Sequence, residues 1–332
     1  MRGRESGKLR VNCAFPRIFA CYGNKISSVK RPLTIFNPLD AQFKIMQTCQ
    51  NIEQLRTQTS QWRSNNETIA FVPTMGNLHE GHLSLVEIAR QKASRVVVSI
   101  YVNPLQFSPG EDFSSYPRTL EDDLTKLEAL GVDLVFTPDD SIIYPDGEQR
   151  STYVEVPVLS HIIEGEIRPG FFKGVATVVL KLFNMVQPDI AVFGEKDFQQ
   201  LLVIRQMVSD LNLPVEIIGG KTKREADGLA KSSRNIYLSS TERENSRILS
   251  GSIMACRDQI ERGADISQAE KACIENLKSH GFTVDYVTLR ETCGLEKVSN
   301  DELLLNKELV ILAAAKLGKT RLIDNMIFTI KS

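Results

Sequence analysis

The sequence predicts an α/β protein, a parallel sheet covered by helices on both faces, followed by a smaller α+β domain. Three observations carry this. Short, continuously apolar runs alternate with helix-periodic segments, as in strands buried on both faces and joined by helical crossovers. Several of the runs exit into loops rich in unusual polar residues, and in parallel sheets ligands bind beyond the carboxyl ends of the strands. After about Lys223 the character changes to two long helical segments followed by three strand-like ones.

In chain order, 52–63 reads as a helix and Ile69-Ala70-Phe71-Val72 as the first strand. Residues 81–93 form a helix whose apolar positions are Leu83, Leu85, Val86, Ile88 and Ala89, and 96–102 is a buried strand. A helix over 119–130 begins with Glu121, Asp122 and Asp123, acids that suit the positive end of its dipole. Strands follow at 132–136, 190–193 and 215–218, with helices over 175–186 and 198–211. The second part has helices at 242–262 and 267–280 and strands at 284–289, 309–314 and 322–328. The expected division is a basic, disordered extension over 1–44, a Rossmann-like nucleotide-binding domain over 45–222 and a lid domain over 223–332.

Composition excludes several classes. The 332 residues carry a formal net charge of −1, which leaves no electrostatic footprint for nucleic acid. No apolar run approaches the roughly 18 residues a membrane span needs. The cysteines (Cys13, Cys21, Cys49, Cys256, Cys273, Cys293) are scattered without a C-x-x-C pair, which argues for reduced thiols. The leader up to Pro38 holds eight Lys and Arg residues against Glu5 alone. It reads as an extension outside the fold of a cytoplasmic protein; an acid-poor, Arg-containing leader also resembles an organellar transit peptide.

The most informative stretch joins the first strand to the following helix: Pro73-Thr74-Met75-Gly76-Asn77-Leu78-His79-Glu80-Gly81-His82. Unpaired N–H groups and the positive dipole end at a helix start suit an anion such as phosphate, and histidines there can donate to its oxygens. Zinc ligation and simple helix capping are the alternatives, but the zincin spacing is H-E-x-x-H and this is H-E-G-H.

Four more loops carry polar residues: 101–107 with Asn103 and Gln106; 111–119, followed by Asp122; Gly194-Glu195-Lys196-Asp197-Phe198-Gln199-Gln200; and 224–235, ending Lys231-Ser232-Ser233-Arg234-Asn235. Together the five loops resemble the pantoate–β-alanine ligase (pantothenate synthetase) family. The resemblance runs from about residue 45 to the end and includes Leu317-Gly318-Lys319-Thr320-Arg321-Leu322-Ile323-Asp324-Asn325.

That resemblance implies a two-step reaction. Pantoate's carboxylate attacks the α-phosphorus of Mg²⁺-bound ATP, and the amine of β-alanine then attacks the resulting pantoyl adenylate to give pantothenate and AMP. Bringing two anions together calls for cations and hydrogen-bond donors, not a protein nucleophile, and no G-x-S-x-G elbow is present.

By the same resemblance Met75, Gly76, Asn77, Leu78, His79, Glu80, Gly81 and His82 bind ATP, with His82 at the place of the family's proton donor. Gly194, Glu195, Lys196 and Asp197 form a second ATP contact in which Lys196 neutralises charge building on the phosphates. Ser232, Ser233 and Arg234 form a mobile loop closing on the triphosphate, flanked by Lys223 and Lys231. Gln106 and Gln200 clamp pantoate, an amide being able both to donate to and accept from a hydroxy acid. Asp122 is the candidate magnesium contact; a plain acid at a helix start is the other reading. The family also implies a homodimer.

Three positions depart from the family's habit. Lys223 stands where an apolar residue is common, Lys231 where Leu or Met is, and Phe171 where bacterial relatives often have histidine. These departures bear on rate more than on reaction type. A nucleotidylyltransferase sharing the histidine motif, and a binding protein that has lost ATP use, are the competing readings.

Overall fold

The computed structural model describes residues 45–300 and 305–331. The expected extension over 1–44, with Cys13 and Cys21, lies outside them. The described residues belong to one compact unit built around two sheets.

The first sheet has six parallel strands: β1 (Gln47–Cys49), β2 (Ile69–Thr74), β3 (Arg95–Ile100), β4 (Leu134–Phe136), β5 (Ile190–Gly194) and β6 (Glu216–Gly220). Their spatial order is β1-β4-β3-β2-β5-β6, so the chain runs outward from β2 in one direction and returns to add β5 and β6 on the other side. The direction in which successive parallel strands are added thus reverses across the β2/β5 boundary, the kind of crevice where such sheets bind ligands. Successive side chains leave a strand on opposite faces. Ile69, Phe71 and Val97 therefore join one buried cluster with Phe136, Phe172 and Phe183, while Ala70, Val72, Val96 and Val98 join another with Val86, Ala89 and Leu127.

The flanking helices are α1 (Ile52–Ser64), α2 (Glu80–Lys92), α3 (Leu120–Ala129), the single turns α4 (Asp140–Ile143) and α5 (Glu164–Ile167), α6 (Phe171–Val186) and α7 (Phe198–Asp210). Helix α6 starts four residues earlier than the sequence pattern suggests, because Gly170 at φ +84° turns the chain directly into it. Strand β3 stops at Ile100, short of the expected Val102, where Pro104–Gln106 coil into a 3-10 turn. β1, three residues pairing only with β4 at the sheet edge, has no expected counterpart.

The chain then forms α8 (Ser240–Ser246), α9 (Ile248–Glu261), α10 (Ile266–Ser279) and an antiparallel sheet of β7 (Phe282–Glu291), β8 (Glu308–Leu317) and β9 (Thr320–Thr329), ordered β7-β8-β9. The single helix expected over 242–262 is interrupted at Arg247. Ser246 Oγ donates to the Arg243 carbonyl, a local bond that competes with the helical ladder, and a Ser239/Glu242 capping box starts the first piece.

Candidate active site

A cavity of about 750 Å³ lies beyond the carboxyl ends of β2, β3 and β5, walled also by β7, β8 and β9. That is within the range of small-molecule sites. Among its lining residues are Met75, His82, Gln106, Asp112, Lys196, Asp197, Gln200, Ser232 and Arg234, drawn from all five loops singled out in the sequence.

The turn between β2 and α2 is held from below by Asp123. Its carboxylate accepts from the backbone N–H of Asn77 (2.8 Å) and Leu78 (2.7 Å) and from the Thr119 hydroxyl (3.1 Å). Gly76 (φ +80°) and Asn77 (φ +49°) both adopt left-handed backbone there, and a Cβ on Gly76 would lie 3.2 Å from the Asp123 carboxylate. Lys126 Nζ donates to the Leu78 carbonyl at 2.9 Å.

His79 and His82 cap α2 reciprocally. His79 Nδ1 accepts from Gly81 N–H (3.1 Å), and His82 Nδ1 accepts from His79 N–H (3.4 Å). A neutral imidazole has one donor and one acceptor nitrogen, so accepting at Nδ1 leaves the proton on Nε2 in both rings. The capping alternative and the donor role are therefore one arrangement: the helix start uses the near nitrogen and leaves the far N–H available. The rings lie 4.1 Å apart between centroids. Burial, then the charges of Lys196 and Lys231, pushes His79 down to about 4; burial, then His79 and Lys196, pushes His82 down to about 3. Both are neutral at pH 7. Gly81 is required by the same cap, since a Cβ there would sit 2.7 Å from His79 Cε1.

Lys196 sits on the 3-10 turn Glu195–Asp197 between β5 and α7, half-buried, with Nζ 4.0 Å from Asp197. Of the adjacent glutamines, Gln199 is fully occupied with backbone: its Oε1 accepts from Glu164 N–H, and its Nε2 donates to the Leu159 and Ile162 carbonyls. Gln200 faces the cavity. Across from it, Gln106 Oε1 accepts from Asn103 Nδ2 (3.2 Å), so its own NH₂ remains to donate. Asn103 is itself buried, donating to Gly174 O and accepting from Tyr144 OH.

Arg234 makes a bidentate pair with Asp112 (3.0 and 2.9 Å) beside the rings of Phe107 and Tyr116. Ser233 Oγ donates to Asn77 O, docking this segment on the histidine turn. Lys231 is bound between Glu80 (2.8 Å) and Glu225 (2.9 Å), a bridge from the hairpin closed by the Arg224↔Ala230 pairing to the start of α2. Lys223 is exposed and contributes its carbonyl to Lys231 N–H. Neither lysine lines the cavity, and neither do residues 76–81, Gly194, Glu195 or Ser233, which shape the turns behind it.

Asp122 lies apart from the residues gathered at the cavity. It is exposed on the first turn of α3 and does not line the cavity. One helix step turns a side chain by about 100°, and it is Asp123 that points inward, with its oxygens already used by the turn. Among the described residues no cluster of three or more His, Cys, Asp or Glu could hold a metal ion.

Sequence reasoning missed a charge network at the cavity wall. Arg168 pairs bidentately with Glu111 (2.8 and 2.6 Å), donates to Gln106 O (2.9 Å) and lies 3.9 Å from the centroid of the Phe171 ring. Glu164 accepts both Arg321 Nη atoms (2.7 and 2.9 Å) and the Tyr286 hydroxyl (2.9 Å), tying the antiparallel sheet to α5. The two arginines stand in the separate runs Arg168-Pro169-Gly170 and Arg321-Leu322-Ile323-Asp324-Asn325, and nothing in the sequence pairs them with Glu111 and Glu164.

The sequence model of the family described as Pantoate-beta-alanine ligase matches residues 47–327. A pantothenate synthetase from Shewanella oneidensis is 53% identical over 283 residues, covering 85% of this chain and 99% of the relative; one from Shewanella loihica is 51% identical over the same span. The crystal structure of a pantothenate synthetase from Thermus thermophilus superposes with a TM-score of 0.78 at 43% identity, covering 86% of this chain and all of that one. A pantoate-beta-alanine ligase from Francisella tularensis, complexed with beta-gamma ATP and beta-alanine, superposes with a TM-score of 0.70 at 35% identity, covering 85% and 98%. No helix among the described residues is long and apolar enough to cross a membrane.

Proposed function

The chain belongs to the pantoate-beta-alanine ligase family, and from that premise we propose that it condenses pantoate with β-alanine through a pantoyl-adenylate intermediate. The observation that carries this is the meeting of His82, Lys196, Arg234, Gln106 and Gln200 around one cavity. Donors and cations converge there, and no activated nucleophile does.

In the first step a pantoate carboxylate oxygen forms a bond to the α-phosphorus of ATP, and the bond to the β-phosphate bridging oxygen breaks, releasing pyrophosphate. His82 Nε2–H, which borders the cavity, donates to phosphate oxygens without bringing a titrating charge, while His79 behind it holds the turn that presents His82. Lys196 faces the charge that accumulates in the transition state, where a preorganised cation is worth most. Arg234 has the planar fork for phosphate, and exchanges its Asp112 partner for the triphosphate. Gln106 and Gln200 orient pantoate so that its carboxylate meets phosphorus. In the second step the amine of β-alanine attacks the acyl carbon, the acyl–phosphate bond breaks, AMP leaves and the amine loses a proton. Residues 223–332 act as the lid, and the chain works as a homodimer.

Magnesium fits as ATP's own counter-ion, since it commonly keeps several waters and is held largely by substrate phosphates. It supplies charge neutralisation on the polyphosphate, and the protein need not provide a dedicated cage.

The test is incubation with ATP, Mg²⁺, pantoate and β-alanine, with single omissions, using pantoate labelled with ¹⁸O in its carboxylate. Pantothenate and AMP form together, and one ¹⁸O is found in AMP. Production of ADP and phosphate, or of AMP without label, would overturn the adenylate route. Multiple turnovers to a released adenylylated product without β-alanine would instead favour a nucleotidylyltransferase.

A further inference from the structure

Asp324 and Asn325, neighbours on β9, grip two separate parts of the cavity wall. Asn325 Nδ2 donates to the carbonyls of Glu195 (2.9 Å) and Lys196 (2.8 Å), which spends its whole donor capacity on the turn that carries Lys196. Asp324 accepts from both Nη atoms of Arg224 (2.7 and 2.9 Å), and Arg224 also donates to the carbonyls of Gly228 and Asn325. Arg224 bridges to Ala230 across the hairpin that leads into Ser232 and Arg234. The pair is locked internally as well, because Asn325 N–H donates to Asp324 Oδ1 at 2.7 Å.

Both residues are buried, at 4% and 5% exposure, so water does not compete for these bonds. Their strand is rigidly placed: β9 pairs with β8 without a register break from Glu308↔Thr329 to Leu317↔Thr320, with Asp324 opposite Ala313 and Asn325 opposite Leu312. Successive strand residues point to opposite sides, which lets one dipeptide reach the turn after β5 with one side chain and the hairpin with the other. A continuous chain of hydrogen bonds from the Lys196 turn to the Arg234 segment therefore runs through this dipeptide.

We propose that Asp324 and Asn325 are positioning residues for adenylation, fixing Lys196 and the 232–234 segment at the separation the polyphosphate requires. The C-terminal sheet is then a gauge for the two phosphate-handling segments as well as a cover. This rests on the ligase reading above.

The test is a double-mutant cycle under single-turnover conditions, at enzyme concentrations that keep a very slow adenylation measurable. Asn325→Asp keeps the size but sets carboxylate oxygens against two carbonyls. It lowers the adenylation rate by about 10²-fold, the scale expected for a small misplacement of a reacting group, and leaves the KM for β-alanine unchanged. In a Lys196→Ala background the same substitution costs less than about threefold, because its effect runs through Lys196. Should Asn325→Asp fail to fold by circular dichroism, Arg224→Lys paired with Arg234→Ala forms the equivalent cycle on the other arm. Equal losses in both backgrounds would overturn the inference and assign a general structural role. A folded wild-type protein that makes no pantothenate would overturn the ligase reading, and the inference with it.

Discussion

His82 offers a way to separate the two jobs its ring performs. Its Nδ1 closes the α2 capping box, and in the proposed reaction its Nε2–H is the donor in the cavity. Asparagine places an amide oxygen near the position of Nδ1 but nothing at Nε2; glutamine reaches Nε2 with an NH₂. The capping bond is long, 3.4 Å, so losing it belongs at the low end of the 0.5–2 kcal/mol seen for caps, about 0.5 kcal/mol. Losing a preorganised donor to a transition-state oxyanion costs about 2.7–4 kcal/mol, or 10²–10³ in rate. His82→Asn should therefore melt within about 2 °C of the parent and form adenylate 10²–10³-fold more slowly. His82→Gln should recover part of that rate while losing the cap. Pyrophosphate release in the first half-reaction and a thermal melt measure the two effects. A His82→Asn enzyme with parental rate, or a His82→Gln enzyme no faster than His82→Ala, would refute the donor role. Because His82 in the free enzyme sits near 3, kcat/KM should show no imidazole inflection between pH 5 and 8.

Three further outcomes follow from the same geometry. Gln199→Ala strips partners from three backbone groups and should destabilise the fold by about 2–4 kcal/mol, whereas Gln200→Ala should leave the melt unchanged and raise the KM for pantoate; a reversed pattern would show that the two roles are swapped. Both histidines have native values below the unfolded 6.5, so the unfolded state binds more protons between about 6.5 and 3–4; stability from this pair is complete above pH 6.5 and is lost as the pH falls through that window, by up to about 1.4 kcal/mol per pH unit for each ring. Urea titrations of the parent and of His79→Asn/His82→Asn across pH 4–7 test this, the double variant being expected to show the shallower slope. Lys231→Met removes a bridge to Glu80, which is largely exposed and screened by water, and should leave the thermal melt unchanged; abolished adenylation would instead place Lys231 in the reaction.

The strands and the site loops were legible because their signals are local. A continuous run such as Ile69-Ala70-Phe71-Val72 feeds both faces of a buried sheet, and the loops at the ends of β2, β3 and β5 come together for the topological reason that makes such sheets bind ligands there. What was not legible is the choice between adjacent residues of the same kind. Asp122 and Asp123 look equivalent in sequence, as do Gln199 and Gln200. In each pair the structure turns one residue toward buried backbone, where unpaired N–H and C=O groups must find partners. Asp123 and Gln199 meet that need with two or more backbone bonds apiece, and Gln200 is thereby left for the cavity and Asp122 for solvent. Such long-range demand cannot be read from a motif, because the groups that impose it lie about 35–46 residues away in the chain. Asn325 is the extreme case: its partners are 129 and 130 residues distant, and only the assembled sheets show that a residue outside the nucleotide motifs holds the lysine inside one.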